Sequence, residues 1–74
     1  MPERQLDLQV MHRSRRADQG KFQAAGDPRD AAWLRSQLRS WLEGHRWHPD
    51  RWNEFEIVAR QAGRYTPLAR VRAS

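Results

Sequence analysis

The sequence contains no cysteine, a single lysine, and no long apolar run. Without cysteine, neither disulfides nor a thiolate zinc site can hold the fold together. No segment approaches the roughly 18 to 20 apolar residues that cross a bilayer. Between Met1 and Val10, Glu3, Arg4 and Asp7 interrupt what a secretion leader would need as an unbroken apolar stretch. The cytoplasm is therefore the expected location. Catalytic signatures are missing as well: there is no thiol nucleophile, no serine in a glycine-flanked turn and no glycine-rich phosphate loop. Glu43 with His45 reads as an ordinary polar helix end. His45, His48 and Asp50, with His12 as the remaining imidazole, do not place two ligands on one rigid element, as zinc sites usually do. The expectation is a non-enzymatic protein with no metal, no cofactor and no small-molecule substrate.

What is present is a chain of 74 residues with four tryptophans and a formal net charge of +5. That length supports one domain, 1–74, with residues 1–4 and 73–74 expected to fray. A chain this short buries only roughly 60 to 65% of the surface it exposes when unfolded. Trp33, Trp41, Trp47 and Trp52 offset this, because each ring can bury about 200 Å². Of the fourteen basic residues only Lys21 is lysine, and the charge is distributed along the chain rather than blocked.

Periodicity supplies the elements. Leu6, Leu8, Val10 and His12 alternate with polar neighbours between Gln5 and Arg13, the period of a half-buried strand. The polar stretch Ser14 to Gly20 reads as a hairpin loop, and Lys21 to Ala25 as a short returning strand. Asp27 as N-cap and Pro28 in the first helical position, with Asp30 near the positive end of the dipole, predict a helix start. Ala31, Leu34, Leu38, Trp41 and Leu42 share one stripe, Ser36, Ser40 and Glu43 lie opposite, and Gly44 is placed to end the helix in a left-handed conformation. His45 to Asn53 lacks either period and reads as a connector with one tight helical turn at Pro49 to Trp52. Glu54 to Gln61 and Tyr65 to Ala73 are the remaining strands. With Ala62, Gly63 and Arg64 as the loop, Phe55 opposes Val71 and Ile57 opposes Ala69, while Glu54 meets Arg72 and Glu56 meets Arg70 outside. The fold class is α+β: a two-layer hairpin-helix-hairpin (ββαββ) with a mostly antiparallel sheet and one helix on one face.

Two binding roles fit this architecture. Arg13, Arg15, Arg16 and Lys21 cluster on the first hairpin, and Arg35, Arg39 and Arg46 form a strip beside the helix stripe, which suits phosphate contacts to DNA or RNA. Interspersed acids would make the same residues an ordinary solvated surface. The alternative is a protein partner or homodimer, an adaptor or inhibitor of the kind phages and mobile elements encode. Met11, Val58 and Leu68 on the open sheet face and Trp33 off the helix stripe would form that interface. No motif carries a resemblance specific enough to transfer a function.

Overall fold

The computed structural model describes residues 4–73. Two strands, β1 (Arg4–His12) and β2 (Arg15–Gly26), precede the helix α1 (Ala31–Gly44), a 3₁₀ turn (Pro49–Glu54), and the strands β3 (Phe55–Gln61) and β4 (Pro67–Arg72). All pairings are antiparallel, in the order β2-β1-β3-β4, so the first strand lies beside the third at the centre of the sheet. This is the α+β, ββαββ arrangement expected from the periodicity. Residues 1–3 and 74, part of the ends expected to fray, lie outside the described residues; Arg4 belongs to β1, and Ala73 is buried in the core. No helix among the described residues is long and apolar enough to cross a membrane.

The core lies between α1 and one sheet face. Leu6, Leu8 and Val10 of β1 and Phe55, Ile57 and Ala59 of β3 meet Leu34, Leu38 and Leu42 of α1. Those strand residues alternate at period two and the leucines recur every four residues, so one apolar layer forms from two different periodicities. Ala31, assigned to the stripe, is exposed, and Trp41 is half-buried at its edge.

Several local expectations change. The hairpin turn is only Arg13-Ser14, both with positive φ (52° and 68°), the geometry of a tight type I′ turn. Ser14 to Gly20 is therefore not a loop: β2 begins at Arg15 and carries a bulge, since Met11 faces Arg16 while Gln9 faces Lys21. Polar composition misleads here because β2 is an edge strand with one uncovered face.

The helix starts three residues later than Asp27 would place it. Asp27 instead accepts from Arg29 N–H at 2.9 Å in a local turn, and Asp30 caps α1 by accepting from Trp33 N–H at 3.0 Å. At the other end Gly44 is not the left-handed residue. Arg46 is, with φ 60°, and the bonds Arg46 N–H to Glu43 O and Trp47 N–H to Leu42 O, both 3.0 Å, close a Schellman motif.

The 3₁₀ turn forms as expected, and Trp52 Nε1 donates to Trp47 O at 2.9 Å, pinning the connector. The last hairpin is shifted by two residues from the expected register: Ile57 faces Val71, Ala59 faces Ala69 and Glu56 faces Arg72. Its loop runs from Ala62 to Thr66, longer than the assumed turn, and a shift of two preserves both faces. Glu54 lies outside this ladder and does not meet Arg72, whereas the Glu56–Arg70 pair forms diagonally at 2.8 Å.

Candidate nucleic-acid interface

The helix covers one face of the sheet and leaves the other open. Alternation puts Asp7, Gln9 and Met11 of β1 on the open face, opposite to Leu6, Leu8 and Val10. Gln9 faces Lys21 on β2 and Val58 on β3, and Met11 faces Arg16. Arg60 of β3 projects to the same side, and its Nε donates to Tyr65 O at 2.8 Å, which ties the β3–β4 loop to the strand.

A depression of about 310 Å³ results, lined by Arg16, Lys21, Arg60 and Arg64 with Asp7 as its one carboxylate. Asp7 already accepts from Gln23 Nε2 at 3.0 Å. Cations from two strands and a loop therefore surround a site with little opposing charge. Tyr65, 95% exposed, stands at its edge. An exposed ring beside convergent guanidinium groups can stack on a base while the cations meet phosphate.

The structure separates the sequence-derived cations. Arg16 and Lys21 join this depression. Arg15 faces His12 across the ladder, which puts it on the helix side. Arg13 sits in the turn and pairs with Glu54 at 3.2 Å. On the helix, Arg35 Nε donates to Arg72 O at 3.2 Å and Arg39 Nε to Ala73 O at 3.0 Å, so both fasten the end of β4 to α1. Arg46 occupies the left-handed position after α1. Arg60, Arg64 and Tyr65 were missed in the sequence. Arg60 does alternate with Val58 on the outer face, but nothing in the sequence shows that β3 lies beside β1.

The apolar candidates fare differently. Val58 faces the open side yet is only 1% exposed, flanked across the ladders by Gln9 and Arg70 rather than by Leu68. Leu68 is 43% exposed, and Met11 is half-buried. Trp33 packs over Gly26, where an added Cβ would lie 2.3 Å from Trp33 Cη2.

Glu54 organises the end of the molecule where the β1–β2 turn meets the 3₁₀ turn. It accepts from Arg51 Nε at 2.9 Å and lies 2.8 Å from His12 Nε2 and 3.2 Å from Arg13. The hydrogen bond from Arg51, then that from His12, holds its carboxyl down at about 2. Among the described residues no group of three or more histidine, cysteine or acidic side chains could hold a metal ion. No protein-family model, curated protein or solved structure matches the chain.

Proposed function

We propose that the protein is a non-enzymatic nucleic-acid-binding module that uses the open face of its sheet. The observation that carries this reading is the convergence of Arg16, Lys21, Arg60 and Arg64 on one depression beside the exposed Tyr65. Two of these residues come from the basic hairpin, and the other two extend the same positive surface across β1 to β3 and the last loop. The helix strip of Arg35, Arg39 and Arg46 lies on the other layer and contributes to the long-range field more than to contact. Location in the cytoplasm accords with such a partner. The adaptor reading carries less weight, because of the Val58–Leu68 pair at its intended centre only Leu68 has surface to offer a partner.

Binding of labelled single-stranded and duplex oligonucleotides across a salt series tests the proposal. Affinity should fall linearly on logarithmic axes, and Lys21→Ser or Arg64→Ser should each reduce the slope by about 0.7 to 0.9. Flat, millimolar binding to every oligonucleotide would overturn it.

A further inference from the structure

A second concavity lies on the opposite layer, between the bulge of β2 and the C-terminal end of α1. Its volume is about 540 Å³, within the range of roughly 300 to 1,000 Å³ typical of small-ligand sites. Phe55, 2% exposed, lies at its base, with His12 stacked on it at a centroid distance of 4.2 Å and an interplanar angle of 5°. Trp47 meets Phe55 edge-on at 4.9 Å. On the helix side Trp41 stacks with His45 at 4.0 Å, and Trp41 Nε1 donates to Gln19 O at 3.1 Å, holding the bulge against the helix. Arg15, Arg16, Asp18 and Gln19 supply the polar lining.

Core packing accounts for Phe55; His45 is held over Trp41 by its Nδ1–H, which donates to Trp41 O at 2.9 Å, and the stacked pair keeps His45 exposed at the edge of an open cleft. Flat π-faces beside guanidinium groups suit a planar, electron-rich ring carried on an anionic backbone. Asp18 and Gln19 can meet the donors and acceptors of a base edge. One residue connects this cleft to the open face: Arg16 lines both concavities. A strand following Arg64, Arg60 and Lys21 across the sheet reaches Arg16 and, beyond it, the cleft.

We infer that the aromatic cleft of His12, Trp41, His45 and Trp47 takes an unpaired base, which makes single-stranded nucleic acid the preferred partner; this rests on the nucleic-acid reading of the open face. Bases of a duplex are paired and stacked, so one would have to be extruded before it could enter. A single strand offers its bases at far lower cost.

The test is a tryptophan-fluorescence titration at low salt. The probes are a short single-stranded oligonucleotide, as DNA and as RNA, and the same sequence annealed to its complement. The single strand should bind more tightly and quench the emission. His45→Ala should weaken its binding roughly tenfold, the scale of one lost base-stacking contact. A photo-crosslink between the unmodified protein and a thiouracil-containing single strand provides a readout independent of any variant's folding, and its adducts should map to His12 or to residues 41–47. Equal affinity for both forms with unchanged fluorescence, or adducts confined to Tyr65 and the open face, would overturn the cleft assignment and leave the open-face proposal standing. Absence of binding to either form would overturn both.

Discussion

The carboxylate of Glu54 lies 2.8 Å from Nε2 of His12, although the two residues are 42 positions apart in the chain. An ionised carboxylate only accepts, so the His12 nitrogen facing it carries the proton. With Arg51 and Arg13 also on Glu54, one side chain joins β1, the first hairpin turn and the 3₁₀ turn.

This arrangement sets a pH dependence. The Glu54 carboxyl is held at about 2 in the fold against an ordinary value of 4.5, so its contribution to stability is complete above 4.5 and is lost as pH falls toward 2. Glu54→Gln should therefore be less stable than the parent at neutral pH, with the difference shrinking through that acid window. Denaturant unfolding followed by tryptophan fluorescence at a series of pH values measures this. A difference that stays constant from neutral pH to pH 2 would show that ionisation of Glu54 is not the cause.

Gly26 offers a purely steric prediction. A Cβ there would lie 2.3 to 2.6 Å from three carbons of the Trp33 ring, and an indole is too rigid to yield at its far edge without moving as a whole. Gly26→Ala should cost roughly 1 to 3 kcal/mol, the usual penalty for overpacking. Gly44→Ala is the control: nothing lies within 4 Å of its Cβ position, so that change should be neutral or stabilising. Thermal melts of the two variants separate the effects. Equal melting temperatures would refute the packing of Trp33 on Gly26.

The core was legible in the sequence because each of its elements carries its own period. Leu34, Leu38 and Leu42 announce one helix face, and Leu6, Leu8 and Val10 one strand face, independently of what they pack against. Local chemistry was ambiguous where two residues could do the same job. Asp27 and Asp30 are both competent caps; the backbone from Asp27 forms a turn closed by Asp30 N–H on Asp27 O, so the helix starts only after Asp30, which takes the cap. Left-handed backbone at Arg13, Ser14, Gln19 and Arg46 was invisible, since none is glycine or asparagine. The candidate site was only half legible. Arg16 and Lys21 are neighbours through the hairpin, but their meeting with Arg60 and Arg64 depends on β1 pairing with β3, a long-range relation that no local pattern encodes.

Arg46 closes the helix with φ 60°, a conformation that costs a residue with a Cβ about 1 kcal/mol relative to glycine. Arg46→Gly should therefore stabilise the fold by roughly 0.5 to 1 kcal/mol, less the larger entropy that glycine gives the unfolded chain. Equilibrium unfolding in urea measures the gain as a shift in midpoint at constant slope. A loss of stability would mean that the Arg46 side chain holds the end of the helix by contacts beyond its backbone geometry.

Val58 and Leu68 give the last prediction, because both lie on the open face and only one is open to solvent. Val58 is 1% exposed between Gln9 and Arg70, whereas Leu68 is 43% exposed near the end of an edge strand. Val58→Ser removes buried methyl groups and places a hydroxyl among side chains that do not need it, so it should cost roughly 2 kcal/mol. Leu68→Ser should fall within about 0.5 kcal/mol of the parent, as surface substitutions do. Leu68 lies on the same face as Val58 and diagonally across the ladder from it, as Arg70 does from Glu56, so the double variant should depart from the sum of the single effects by the coupling between the two side chains. Urea unfolding of the three proteins decides the matter. If Val58→Ser were as stable as the parent while altering self-association, Val58 would be surface and the sheet face would be an interface. Loss of stability with no change in association instead makes it a second, minor core on the uncovered side, closed by the long side chains that flank it.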